Sequence, residues 1–405
     1  MVKSLELQTI DNIKNKDIPV IIFGARSVGE ALFYACRKIG IKVECFCDND
    51  FNRTENLVCN TKVIHTSELK NKYQDAVFLI SAADIKDVIE QLRHLGYSKW
   101  YPSTLLLRDF NIYKYAYSVP ADFVEYTINT CLLCHDGYLN PDKLFLRSVD
   151  IVITERCSLR CKDCSNLMRY YENPQDCNTK ELFKNIDRFL DVIDEVNEFR
   201  VLGGEPFMNK DCHLIIRKLI EESKVKKIVI YTNGTIPPKD EQIQLIKSKK
   251  VLFIITDYGK LSRNLNSIVQ KLSENNIAYY VQKAGGWTNC SKIKKQNRSS
   301  EKQKEIFRNC CAKNTFTLSD ANLFRCPFSA NAHRLQAVPN FKNDHVNIFW
   351  EKKNIKEIKT KIKSFILDKK FLETCDYCNG RSFGDPLITP AVQINKSLEY
   401  KKYTY

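Results

Sequence analysis

Cys157, Cys161 and Cys164 stand at C-x3-C-x2-C spacing in the run Cys157-Ser158-Leu159-Arg160-Cys161-Lys162-Asp163-Cys164. Three thiolates are one fewer than an ordinary four-cysteine iron-sulfur site uses, so a 4Fe-4S cluster held here keeps one iron open to a non-protein ligand. An open iron is a place where a small molecule can react. The bare spacing also fits three inert thiols in a cysteine-rich chain, or part of a zinc site whose fourth ligand lies elsewhere.

The surrounding elements favour the cluster. Arg147 to Ile153 reads as a mostly apolar strand that feeds the cysteine loop, and Lys180 to Ile193 reads as an amphipathic helix. Phe199 to Leu202 is a second strand, ending in Gly203-Gly204-Glu205-Pro206, and Lys227 to Tyr231 a third, ending in Thr232-Asn233-Gly234. Val251 to Thr256, Ser262 to Leu272 and Ala278 to Val281 continue as strand, helix and strand. This is a parallel (βα)n sheet or partial barrel, in which loops after strand ends carry the chemistry.

In these motifs the chain resembles the radical S-adenosylmethionine (SAM) enzymes. The resemblance implies that Cys157, Cys161 and Cys164 hold a 4Fe-4S cluster whose open iron takes the amino and carboxylate groups of SAM. It places Gly203, Gly204 and Glu205 along the amino group, where two glycines allow close backbone approach and a carboxylate can pair with an ammonium. Thr232 and Asn233 resemble the family's contact with the SAM ribose or carboxylate. Asp163 departs from the pattern: it stands where the family carries an aromatic residue beside the adenine. The implied chemistry is one-electron cleavage of SAM to methionine and a 5′-deoxyadenosyl radical, which takes a hydrogen atom from an unactivated carbon.

Further along lie Cys310-Cys311, Cys326 and Cys375-Asp376-Tyr377-Cys378, with a β-hairpin expected from Thr315 to Arg325 around the turn Ser319-Asp320-Ala321-Asn322. A hairpin between cysteines, then a helix and C-x2-C, resembles the family's twitch extension, shorter than the two-cluster SPASM form. The resemblance implies a second, auxiliary 4Fe-4S cluster on Cys311, Cys326, Cys375 and Cys378. Cys311 is preferred to Cys310 because it lies nearer the hairpin. Four thiolates also suit zinc. Among the remaining cysteines, Cys177, Cys212 and Cys290 could supply the hydrogen-atom-donating thiol of an epimerase, and Cys290, which follows the last core strand, is the candidate catalytic thiol.

Residues 1–109 read as a Rossmann-like domain. Pro19 to Phe23 is an apolar strand, followed by Gly24-Ala25-Arg26-Ser27-Val28-Gly29 and a helix to about Ile39; further strands fall at Lys42 to Cys47 and Ala76 to Ser81. Arg26 occupies the position of a dinucleotide fingerprint's second glycine, so the loop suits NAD poorly. Arg26 could meet a phosphate instead, or the domain could serve docking alone. It resembles modules attached to bacterial surface-sugar enzymes. Residues 110–146 read as a connector in which Cys131-Leu132-Leu133-Cys134-His135 is core packing rather than a metal site.

The expected architecture is therefore α/β: a Rossmann-like parallel-sheet domain, the connector, a partial (βα)6 radical SAM barrel over 147–300, and a small hairpin and helix auxiliary-cluster domain over 301–405. The chain has 405 residues, 17 cysteines and a net charge of +15. The charge invites nucleic acid, but no recognition motif accompanies it, and lysines spread along amphipathic helices such as 353–363 account for it. No apolar run approaches the roughly 18 residues of a membrane span, and Met1-Val2-Lys3-Ser4-Leu5-Glu6 lacks a signal peptide's apolar block. A cytoplasmic protein with reduced thiols follows. The reading that unites these features is oxidation of a hydroxyl-bearing carbon in a sugar, sugar nucleotide or glycan precursor, with flavodoxin or ferredoxin as external electron donor. Sugar epimerisation and peptide maturation are the rivals within the superfamily, and a non-catalytic iron-sulfur redox sensor is the rival outside it.

Overall fold

The computed structural model describes residues 7–15, 17–69, 72–349, 354–382 and 384–405. The stretch from Met1 to Glu6, read for a signal peptide, and Lys353 of the lysine-bearing helix lie outside them. The chain divides into two units, Met1–Lys143 and Leu144–Tyr405.

In the first unit the run after Pro19 forms β1 (Val20–Phe23), buried along its whole length. The unit continues through β2 (Val43–Asp48), β3 (Leu57–Val58), β4 (Thr61–His65), β5 (Val77–Ile80) and β6 (Trp100–Pro102) in the order β3-β4-β2-β1-β5-β6. All pairings are parallel except β3 on β4. Strand order thus reverses between β1 and β5, the switch point where open α/β sheets place ligands. The helices are α1 (Leu7–Asn15), α2 (Ser27–Lys38), α3 (Ile85–His94), α4 (Thr104–Leu107) and α5 (Ala121–Leu139).

The connector expected at 110–146 needs correction. Ile112, Val124, Ile128 and Cys131 belong to the same core as β1 and α2, and Ser118 donates to Glu30 through both its backbone N–H (3.2 Å) and its hydroxyl (2.6 Å). An apolar helix face must bury itself somewhere, and α5 does so against its own sheet domain. Cys131, Cys134 and His135 are buried in that packing, as their sequence context implied.

The second unit is built on β7 (Phe145–Thr154), β8 (Glu195–Gly203), β9 (Val225–Thr232), β10 (Val251–Asp257) and β11 (Ala278–Lys283), all parallel and adjacent in chain order. A short β12 (Trp287–Thr288) follows, then the hairpin β13 (Phe316–Ser319) and β14 (Asn322–Phe324), β15 (His345–Asn347), and β16 (Leu387–Ile388), which pairs with β12. β13 is the sixth parallel strand, but it joins beside β7 rather than after β11, giving the order β11-β10-β9-β8-β7-β13-β14-β15. The hairpin assigned to a separate domain beginning at 301 is therefore continuous with the barrel sheet. Its turn needs two left-handed residues, Asp320 (φ 48°) and Ala321 (φ 63°), the requirement of a type I′ turn.

The strands of this unit turn two faces in alternation towards their ends. Val149, Ile151 and Ile153 of β7 pack on the helix layer, which includes Ile186 and Phe189 of α6 (Thr179–Val192) and Ile215 and Ile216 of α7 (Cys212–Glu221). The opposite face carries Asp150 and Val152 with Arg200 and Leu202 of β8. Asp150 receives a two-pronged ion pair from Arg200, at 2.5 and 2.9 Å, and the guanidinium lies 5.3 Å from the Tyr231 ring centroid. A charged pair so placed keeps the inner face polar and ordered beneath the strand ends.

Candidate functional site

The carboxyl ends of β7, β8 and β9 meet at the cysteine loop. Gly203 has φ +152°, and a Cβ there would lie 2.1 Å from the Thr154 carbonyl oxygen. A Cβ on Gly204 would lie 2.0 Å from the Arg156 carbonyl oxygen. Both glycines are needed because the β8 turn lies directly against the backbone entering the loop: Gly204 N–H donates to Thr154 O and Glu205 N–H to Arg156 O, each at 2.9 Å.

The Glu205 side chain is held by groups at the end of β9. It is fully buried, accepting from the Thr232 hydroxyl at 2.9 and 3.0 Å and from Asn233 N–H at 2.9 Å. Burial pushes its carboxyl up to about 7, against the opposing pull of these donors. Glu205 thus ties β8 to β9 and fixes Asn233, whose Nδ2 reaches Cys157 Sγ at 3.6 Å and Ser158 Oγ at 3.3 Å.

Cys157, Cys161 and Cys164 share one packed group with Leu159, Leu261 and Trp287; Cys161 and Cys164 raise the Cys157 thiol electrostatically, and Cys164 raises that of Cys161. Burial is the leading cause of elevation for all three; Cys161 reaches about 11. Such thiols stay protonated unless a cation draws the proton off, which iron does on ligation. Each sulfur also has donors turned towards it: Asn233 at Cys157, Gln393 Nε2 at Cys161 (3.3 Å), and the backbone N–H groups of Met168 and Asn166 at Cys164. A cradle of donors around three thiols fits the family's cluster, with SAM at its open iron.

The aromatic contact absent at Asp163 has a neighbour from another strand. Tyr258, just after β10, packs in the cysteine group, and its ring meets Trp287 edge to face at 6.0 Å. Asp163 itself is half-buried and close enough to Tyr170 to raise its hydroxyl. A cavity of about 270 Å³ opens beside Cys157, walled by Glu155, Arg160, Arg169, Tyr171 and Asn395 among others. Among the described residues the buried Arg169 Nε has no hydrogen-bond partner there, and the buried Tyr171 hydroxyl lies beside Arg334.

A second group of cysteines surrounds Arg381. Cys310, not Cys311, is the neighbour whose charge is felt at Cys326, Cys375 and Cys378, all three elevated chiefly by burial, Cys326 to about 12. Cys311 is exposed. The chain leaves α8 (Ser300–Asn309) at Cys310, and Cys311 N–H donates to Arg381 O at 2.9 Å. Of the two alternatives, Cys310 is thus the one that acts on Cys326, Cys375 and Cys378.

Cys290 lies in the same region and is buried. Its sulfur accepts from Arg381 Nε at 3.1 Å, and its carbonyl accepts from Cys378 Sγ at 3.5 Å. Arg381 and Cys290 also act electrostatically on Cys164, so this arginine stands between the two cysteine groups. A guanidinium buried among thiols is compensated when those thiols become metal-bound thiolates. Among the described residues, no three His, Cys, Asp or Glu side chains close around a point at the distance of one metal ion.

Residues 151–257 match the profile of the Radical SAM superfamily. The matched stretch runs from β7 to the end of β10. The chain is similar to a GTP 3′,8-cyclase of Clostridium acetobutylicum, 31% identical over 97 residues that make up 23% of this chain and 30% of that one. It is also similar to a mitochondrial GTP 3′,8-cyclase of Arabidopsis thaliana, 35% identical over 86 residues, 21% and 22% of the two chains. It spans less than a third of either relative. Among solved structures, BtrN in complex with AdoMet and 2-DOIA superposes with a TM-score of 0.39 at 15% identity, over 58% of this chain and 93% of that one.

Sequence reasoning missed Gln393, Arg381 and Tyr258. Arg381, three residues beyond C-x2-C, had a local signal; Gln393 and Tyr258 reach the site only through the fold. Among the described residues no helix is long and apolar enough to cross a membrane.

Proposed function

We propose that the protein is a radical SAM oxidoreductase that oxidises a hydroxyl-bearing carbon of a sugar, sugar nucleotide or related glycan precursor, in the cytoplasm and with flavodoxin or ferredoxin as reductant. When bound, the cluster and SAM supply a radical able to take a hydrogen atom from an unactivated carbon. Oxidation then requires the substrate to lose one further electron and its hydroxyl proton, giving a ketone.

The observation that carries this reading is the second cysteine group. Cys310 acts electrostatically on Cys326, Cys375 and Cys378, and Cys326 acts on Cys375 and Cys378, so the four offer their sulfurs to one metal group, with the buried Arg381 beside Cys310 and Cys378. Four protein ligands leave no iron open to substrate, which suits an auxiliary 4Fe-4S cluster to holding an electron. The polar cavity beside Cys157 supports a hydroxylated substrate, because Arg160 and the Arg169 Nε can donate to it while Glu155 and Glu172 can accept. Epimerisation needs a thiol that faces the substrate, and the Cys290 sulfur faces Arg381 instead.

The test compares anaerobically reconstituted wild type with the Cys375→Ala, Cys378→Ala double variant. Wild type is expected to hold about eight irons and the variant about four. Both should form 5′-deoxyadenosine from SAM and dithionite, and only wild type should yield, from a sugar-nucleotide panel, a product lighter by two hydrogens. A product of unchanged mass, or oxidation by the variant at the wild-type rate, overturns the reading. Absence of deoxyadenosine from both points to the redox sensor.

A further inference from the structure

We infer that Gln393 is a positioning residue for the cluster at Cys157, Cys161 and Cys164, raising that cluster's reduction potential through the amide N–H it donates to the Cys161 sulfur. The inference rests on the radical SAM reading of those cysteines. It arises from the C-terminal segment, which carries no cysteine and which the sequence assigns to a separate auxiliary domain.

That segment returns to the cysteine loop and runs antiparallel to it. Cys161 and Gln393 form an isolated bridge, Lys162 N–H donates to Val392 O at 2.8 Å, and Ile394 N–H donates to Arg160 O at 2.9 Å. Further on, Leu398 N–H donates to Arg169 O at 2.8 Å. Ala391, where the strap begins, is buried with a left-handed φ of 54°. A non-glycine residue held there costs on the order of 1 kcal/mol and persists only where its surroundings demand it.

Within the strap the Gln393 side chain is held from both ends of its amide. Its Oε1 accepts from Arg160 N–H at 2.6 Å, and its Nε2 donates to Ala391 O at 2.7 Å and to Cys161 Sγ at 3.3 Å. Fixing the oxygen on a backbone donor settles which end of the amide faces the sulfur. An N–H aimed at a ligating thiolate stabilises the more negative, reduced cluster over the oxidised one, so it raises the potential. A residue serving only to fasten the strap would need the backbone bonds and the Arg160 contact alone.

The test uses the full chain as wild type, Gln393→Leu, Gln393→Glu and Gln393→Lys, reconstituted anaerobically with iron and sulfide counted. Each is titrated with dithionite while following the electron paramagnetic resonance signal that SAM perturbs, which belongs to the cluster with an open iron. Gln393→Glu keeps the acceptor for Arg160 N–H and removes the donor to sulfur. Gln393→Leu removes both, and Gln393→Lys restores a donor.

At wild-type iron content, the Leu and Glu variants should need stronger reduction, by about tenfold in the one-electron equilibrium, which is about 59 mV. The Lys variant should return to the wild-type potential or exceed it. Wild-type potentials in both the Leu and Glu variants overturn the inference, as does iron loss in Leu with an unshifted potential in Glu. A wild type with no SAM-responsive signal overturns the radical SAM reading, and the inference with it.

Discussion

The two units each end a buried parallel strand in glycine, yet they use that turn differently. In the first, a Cβ on Gly24, at φ +110°, would lie 2.5 Å from Ser81 Oγ. The loop after it is closed by the protein's own groups: Ser81 Oγ donates to Gly24 O at 3.0 Å, Ala25 N–H to Asp48 Oδ2 at 2.9 Å, and Arg53 to Ala25 O at 3.1 Å. In the second, the Gly203-Gly204 turn is packed on the backbone that presents three thiols, each with donors turned towards it. Related topology therefore yields a self-satisfied loop in one unit and, in the other, a set of groups waiting for a partner. The fold supplies the place, and the side chains decide whether anything binds there.

The sharpest way to break this comparison is to add one methyl group to each turn. Gly204→Ala forces the Arg156 carbonyl out of the way, at a cost on the order of 3 kcal/mol or more, because backbone rather than a flexible side chain is in the way. Iron content on reconstitution should fall by about four per chain, and deoxyadenosine formation should be lost. Gly24→Ala meets a serine hydroxyl at a strained φ and should cost about 1 to 3 kcal/mol. Its cluster loading should match wild type. Equal iron in the Gly204→Ala protein would show that the cysteine loop does not depend on the β8 turn.

A second contrast is in pH dependence, read on the iron-free protein. In the first unit, burial lowers the His135 imidazole to about 4, and Nε2 lies 2.9 Å from Ala82 O. A depressed folded value means that the unfolded chain takes the proton first, so stability is lost as pH falls from about 6.5 to 4. In the second unit Glu205 is raised to about 7, so its contribution is complete below about 4.5 and lost as pH rises to 7. Each shift corresponds to about 3 kcal/mol. Thermal unfolding of wild type, His135→Gln and Glu205→Gln between pH 4 and 8 should show the two variants tilting the curve in opposite directions over this overlapping window: relative to wild type, His135→Gln loses a rise in stability with pH and Glu205→Gln loses a fall. If Glu205→Gln leaves the slope from pH 4.5 to 7 unchanged, the carboxyl is ionised throughout.

How much of this was legible depended on how far apart in sequence the cooperating residues lie. Strands β7 to β11 and their helices announce themselves by apolar runs and amphipathic periods, and the cysteine and glycine motifs sit at their ends in fixed order. The sheet position of β13 was not legible, because a four-residue strand carries no signal saying which edge it joins. Nor was the proximity of Cys310, just beyond α8, to Cys326, Cys375 and Cys378, which lie far along the chain. Gln393 lies 232 positions from the sulfur it touches, and only the completed fold brings them together. Asn233, by contrast, was picked out by its motif, while its aim at Cys157 through Glu205 was not.

The smallest effect is expected at the residue that drew most attention in the first unit. Arg26 stands where a glycine would admit a dinucleotide, yet its side chain is 61% exposed and its contact with Asp50 is long, at 3.4 Å. An ion pair that open contributes less than about 1 kcal/mol. Arg26→Ala should therefore leave the melting temperature nearly unchanged and deoxyadenosine formation untouched. A loss of turnover with substrate in that variant, at wild-type stability and iron content, would mean that the first unit's switch point holds part of the substrate, and that its loop is less self-sufficient than its hydrogen bonds indicate.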